Sequence, residues 1–216
     1  MEKDEYKTVK AASEGLYKEK GSRFISYLYP VKDEQSISNK IQELKGMHPK
    51  SRHVCYSYLL GVEGSQFRIN DDGEPSGTAG RPIYNELISN ELTYILLAVV
   101  RYFGGTKLGA SGLIRAYKES AKDALAKSTI ITKYLNDYAY IHFDHHHTGR
   151  LYNSLKRNDI EIIDQQMGLE NWIKIGFRKS LYEAKMIQLL SHFHQVSEDY
   201  VNHDSFVSKI KIKRCE

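Results

Sequence analysis

The sequence predicts an α+β protein of two domains, and three observations carry that expectation. The chain has 216 residues, which is long for one small core and short for three. Runs of β-branched and aromatic residues alternate with segments of helical spacing along its whole length. From residue 138 onward the order of these segments is βαββαβ, the split pattern of a ferredoxin-like antiparallel sheet backed by two helices. The border is expected between Lys133 and Asp137, giving domains of residues 1–134 and 135–216.

In the first domain, strands are expected at 6–11 (YKTVKA), 23–31 (RFISYLYPV), 53–61 (HVCYSYLLG) and 65–69 (SQFRI). A helix separates the second strand from the third. Asp33 is its N-cap candidate, Ile37, Ile41 and Leu44 mark its apolar face, and Gly46 and Pro49 end it. The turn-rich NDDGEPSGTAGRP follows, then a short helix, IYNELIS, that Pro82 can open. The strand LTYILLAVV is apolar at nearly every position, so it must be central and covered on both faces. A last helix starts at Ser111 as N-cap and reaches about Lys127. Its apolar stripe holds Leu113, Ile114, Tyr117, Ala121, Ala124 and Leu125, with Arg115, Lys118 and Lys122 opposite.

The second domain is read as strand 138–143, helix 148–158, strands 160–167 and 170–177, helix 180–193 and strand 205–212. Composition is that of an ordinary globular chain, 41% hydrophobic and 27% charged, without low-complexity tracts. The formal charge of +4 excludes a dense cationic coat for nucleic acid. It resides in residues 1–136, with 20 Lys/Arg against 16 Asp/Glu, while residues 137–216 hold 11 of each. A polyanionic partner should therefore prefer the first domain. Cys55 and Cys215 form no disulfide framework and no CxxC pair, which suggests a reducing compartment. The N-terminus lacks a signal-like apolar stretch and the run ILLAVV is too short to cross a bilayer, so a cytoplasmic protein is expected.

The stretch RYFGGTKLGASGLIRAY, residues 101–117, carries the main candidate site. A strand, a glycine-rich loop and a helix start together aim free amide N–H groups at one spot, with the positive end of the helix dipole behind them. Gly104, Gly105, Gly109 and Gly112 would let an anion approach the backbone, Ser111 would sit at the helix start, and Arg101, Lys107, Arg115 and Lys118 would supply charge. The alternative is a tight return whose cations are simply solvated. Neither the Walker A spacing nor GxGxxG is present, and Leu113 stands where a nucleophile elbow needs glycine.

Asp71, Asp72 and Glu74 in DDGEPSGT form a possible acidic site, able to hold Mg²⁺ for phosphoryl chemistry. The competing reading is a turn stiffened by Pro75, with Thr78 capping the next helix. His53, just after Arg52, lacks a second ligand at a recognisable offset. Seven of the nine histidines, His142, His145, His146, His147, His192, His194 and His203, fall in the second domain, where the topology could gather them with Asp144 and Asp204 at one end of the sheet. The sequence shows no HxH or HxxxH pair fixed on a rigid element with a visible second shell, so no metal or cofactor is expected.

The segments KGSRFI (20–25), RHVCYSYLLG (52–61), DDGEPSGTAGRPI (71–83) and RYFGGTKLGASGLIRAY closely resemble the YigZ/IMPACT family. The resemblance covers about residues 1–127, and the remainder looks like the ferredoxin-like second domain of its bacterial YigZ-type members. It implies a first domain similar to the second domain of a small-subunit ribosomal protein, and a second similar to the last domain of translocase elongation factors. Both relatives touch RNA. Eukaryotic members are linked to translational control through the activator of a kinase that phosphorylates an initiation factor, and they carry a further N-terminal domain; this chain looks like the shorter bacterial form. Where the family usually has glycine after KLGA, Ser111 stands here. The expected function is RNA or ribosome binding in the regulation of translation, with a translation-regulating protein as a further possible partner. The alternatives are a Mg-dependent hydrolase or phosphotransferase using the acidic loop, and a protein-interaction module.

Overall fold

The computed structural model describes residues 3–201 and 210–215. The chain separates into two compact units, one of residues 5–133 and a second that runs from Tyr134 onward and takes in Asp4.

The first unit runs β1 (Glu5–Val9), β2 (Ser13–Glu19), β3 (Ser22–Pro30), α1 (Glu34–Met47), β4 (His53–Leu60), β5 (Gln66–Asn70), α2 (Gly80–Ser89), β6 (Ile95–Tyr102), α3 (Gly109–Ala126) and β7 (Ile130–Tyr134). Five strands form a sheet in the order β2-β3-β6-β4-β5, each pair antiparallel, while β1 and β7 make a separate two-stranded ribbon. The apolar run of β6 occupies the centre as expected, buried from Ile95 through Arg101. One of its faces packs Ile95, Leu97 and Val99 against Ile83, Leu87, Leu113, Tyr117 and Ala121 of α2 and α3. The other turns Leu96, Ala98 and Val100 toward Ile37 and Leu44 of α1. A strand covered on both faces has no room for a polar alternation, which is why its sequence shows none.

Helix α1 starts where expected. The Asp33 carboxylate accepts from the Ser36 N–H at 2.7 Å, and the Ser36 hydroxyl reaches back to the Asp33 backbone. Helix α3 departs from expectation: it begins at Gly109 after Leu108, with no side-chain cap, so Ser111 is a first-turn residue and not the N-cap. Gly109, at φ +72°, turns the chain into the helix two residues early, a conformation that glycine adopts without steric cost. Strands β2 and β7 were not expected from the sequence.

The second unit runs β8 (Asn136–Phe143), α4 (Thr148–Arg157), β9 (Ile162–Gln166), β10 (Asn171–Arg178), α5 (Tyr182–His194) and β11 (Ile210–Cys215). Its antiparallel sheet, ordered β11-β8-β10-β9, has the expected ferredoxin-like topology. Ala139, Ile141, Ile173 and Ile175 face Leu151, Leu155, Met186 and Leu189 of the two helices. The strand expected at 205–212 lies partly outside the described residues; the observed strand begins at Ile210 and runs to Cys215. Buried Asp4 joins this unit, accepting from the Arg178 guanidinium at 2.7 Å and the Ser180 N–H at 2.9 Å.

Candidate anion-binding site

Pairing of β4 with β6 sets His53 directly opposite Arg101. This places the start of β4, the end of β6, the acidic loop and the first turn of α3 around one cavity of about 520 Å³. Arg52, His53, Arg101 and Lys107 line it together with Glu74, Pro75, Phe103, Leu108, Gly109, Ala110 and Leu113. The helix that opens onto it carries no side-chain cap, so its first-turn amides present the positive end of an 18-residue helix.

Arg101 is the hinge of the arrangement. It is 8% exposed, its Nη1 donates to Glu74 Oε1 at 2.5 Å, and its guanidinium lies 5.5 Å from the Phe24 ring and 5.7 Å from the Phe103 ring. Its Nε is buried with no hydrogen-bond partner among the described residues. A buried guanidinium N–H left unpaired carries a desolvation cost that an incoming acceptor would offset. Glu74 Oε1 also accepts from the Tyr117 hydroxyl at 2.8 Å, and the Cys55 thiol donates to the Tyr117 hydroxyl oxygen at 3.3 Å. Burial pushes the Cys55 thiol and the Tyr117 phenol well above their usual ranges, so both stay protonated and serve as hydrogen-bond donors. With Glu74 balancing Arg101, the wall retains Arg52 and Lys107, cations with no ion-pair partner among the described residues. The ring of His53 donates from Nδ1 to the Asp72 carbonyl oxygen at 2.7 Å, an acceptor-only partner that fixes the tautomer.

The acidic loop is built for its own folding. Asp71 Oδ1 accepts from the N–H groups of Ala79 and Gly80, at 3.0 and 2.9 Å, and its Oδ2 from Gly77 at 2.9 Å. It thereby caps α2 from eight residues upstream, the role that the sequence suggests for Thr78; the Thr78 hydroxyl instead donates to the Pro75 carbonyl. Asp72 accepts from the Val54 N–H at 2.7 Å, and Glu74 is the partner of Arg101. The three carboxylates thus serve three different partners. Among the described residues no group of three or more His, Cys, Asp or Glu is arranged to hold a metal.

Of the residues expected at the site, the cavity brings together Arg101, Lys107 and Gly109, with Glu74 from the acidic loop. Gly104, Gly105, Ser111, Gly112, Arg115 and Lys118 are not on its wall. Gly104 instead donates its N–H to the Ser22 hydroxyl at 3.1 Å and packs against the backbone of Gly21. Arg115 is tied to Glu19, and Lys118 lies 3.9 Å from Glu86. Arg52 and Phe103 line the cavity without having been singled out as ligands. Strand pairing across 48 residues brings Arg52 there, which no local spacing signals. Among the described residues no three of the second unit's histidines and acids come together as a metal site: His145 faces the Gly168 carbonyl and His192 the Asn158 amide, while His147 and His194 both border the Phe193 ring. His203 and Asp204 lie outside the described residues.

The Impact N-terminal domain model matches residues 20–125. The chain is 39% identical over 153 residues to the IMPACT family member YvyE of Bacillus subtilis, covering 71% of this chain and 70% of that protein. It is 36% identical over 112 residues to the IMPACT family member YigZ of Escherichia coli, covering 51% and 55%. A crystal structure described only as that of a hypothetical protein superposes with a TM-score of 0.67 at 26% identity, over 91% of this chain and 96% of the other. No helix among the described residues is long and apolar enough to cross a membrane.

Proposed function

The chain belongs to the IMPACT family, and from that premise we propose that it is an RNA- or ribosome-binding factor acting in the regulation of translation, which takes a phosphate of its partner in the cavity between β4, β6 and α3. One observation carries this reading: the buried, unpartnered Nε of Arg101 in a wall that also holds Arg52, Lys107 and an uncapped helix start. These groups suit a phosphate oxygen, which accepts several hydrogen bonds at once and favours the positive end of a helix. Contacts of this kind position a nucleic acid without reading its bases, so affinity should be steeply salt-dependent and nearly indifferent to sequence. The acidic loop does not favour phosphoryl chemistry, because each of its carboxylates is engaged in holding the loop or Arg101.

The test is the affinity of the full chain for a structured RNA hairpin at about 0.1 M salt. Replacing Arg52→Glu together with Lys107→Glu should weaken binding by more than about tenfold, since two cations become two anions beside the phosphate. Arg115→Ala, a change at a guanidinium already tied to Glu19 away from the cavity, should leave affinity within about twofold. Equal binding by the double variant would overturn the proposal.

A further inference from the structure

The sheet of the second unit buries one face under α4 and α5, and its other face presents aromatic rings flanked by lysines. Tyr138 and Tyr140 on β8 and Trp172 and Lys174 on β10 alternate with the buried positions and are partly exposed. Lys211 and Lys213 on β11 are exposed. The register sets Lys174 on one side of Tyr140 and Lys213 on the other, so the Tyr140 ring lies between two cations. The rings of Tyr140 and Trp172 are 5.2 Å apart between centroids, and the ammonium of Lys174 stands 4.9 Å from the Tyr138 ring and 5.5 Å from that of Tyr140. The opposite edge is different: Asp164 of β9 pairs in register with Lys174. A polyanion crossing this face is therefore steered toward β11.

We propose that this open face binds single-stranded RNA, with bases stacking on Tyr138, Tyr140 and Trp172 and phosphates held by Lys174, Lys211 and Lys213. Rings on the two central strands of a four-stranded ferredoxin-like sheet form a platform for unpaired bases. A duplex, whose bases are already stacked on each other, offers no ring faces to such a platform. Two lysines two residues apart on one strand stand roughly 7 Å apart, a spacing suited to successive charges along a backbone. The face lies in a different unit from the cavity and rests on different observations, so either reading can stand without the other.

Trp172 is the chain's single tryptophan, so its emission reports directly on this surface. Titrating the full chain with single-stranded octauridylate should quench that emission saturably, whereas a duplex RNA of the same length should not. Tyr138→Ala with Tyr140→Ala should weaken octauridylate binding at least about tenfold, the effect of losing one to two stacked bases. Lys211→Gln with Lys213→Gln, at exposed positions that cannot disturb the core, should lower the slope of log affinity against log salt by about 1.4. Unchanged Trp172 emission at saturating octauridylate, equal quenching by the duplex, or undiminished binding by the tyrosine variant each overturns the inference. If octauridylate binds without quenching and only the Arg52→Glu, Lys107→Glu variant loses RNA, the sheet inference fails while the cavity reading survives. Quenching by octauridylate alongside hairpin affinity indifferent to that variant gives the reverse.

Discussion

Glu74 is 4% exposed at its side chain, and a guanidinium and a phenol share one of its oxygens. A charge this deeply placed is tolerated because its partner is equally deep, and removal of either one strands the other. Glu74→Ala should therefore lower the unfolding free energy by about 3–5 kcal/mol, readable in a denaturant titration. A loss under about 1 kcal/mol would mean that water or a shifted side chain already solvates Arg101. The sequence marked both residues, Arg101 as a cation of the glycine loop and Glu74 as an acid of the DDGEPS loop, yet assigned them to separate tasks. Their pairing depends on strand register and on a loop folding back 27 residues, and side chains alone do not reveal either. Asp71 shows the same limit: the carboxylate was visible, but its bonds to the Ala79 and Gly80 amides require the loop's closed shape.

At the scale of elements, the loop between β6 and α3 is held by a contact that tolerates no side chain. A Cβ added at Gly104 would stand 1.9 Å from the carbonyl carbon of Gly21 and 2.2 Å from the Ser22 nitrogen. Backbone on both sides has no rotamer to yield. Gly104→Ala should thus pull the loop off the β2–β3 turn, lower the thermal midpoint by several degrees or more, and weaken RNA binding through displacement of Lys107. An unperturbed midpoint with normal binding would show that the loop is not anchored there. Strongly patterned elements were legible: the capped α1, the wholly apolar β6, the stripe of α3 and the βαββαβ order of the second unit. Strands β2 and β7 were not. In SEGLYKE the only apolar positions, Leu16 and Tyr17, are adjacent and not alternating, and four of the five residues of IITKY remain exposed, so neither has a face for the sequence to mark. The early start of α3 was hidden for another reason: serine is a common N-cap, while the turn at Gly109 comes from backbone freedom.

For the molecule as a whole, stability is expected to divide between two cores, and the acid response of the second is set by a residue from the far end of the chain. Hydrogen bonds from Arg178 and Ser180 hold the Asp4 carboxyl well below the usual carboxylate range. Because the folded state favours the ionised form, the stabilisation is fully present above the unfolded value of about 3.9 and is lost as pH falls below it. Asp4→Asn should lower the melting midpoint of the second unit at neutral pH, followed by Trp172 emission, and the gap to the native chain should narrow as pH drops below about 4. A gap that stays constant into acid would remove Asp4 from that role. The proposed phosphate cavity and the aromatic sheet face fall in different units, so an RNA reaching both would bind with the avidity of a tethered pair.

The placement of Asp4 also bears on how the protein can be cut apart. The backbone passes between the units twice, once between Asp4 and Glu5 and again between Lys133 and Tyr134. A fragment begun at Tyr134 would carry the Arg178 guanidinium and the Ser180 amide without the carboxylate that both bind. A faithful excision of the second unit therefore has to graft the N-terminal segment back on, for instance as a short splice ahead of Tyr134.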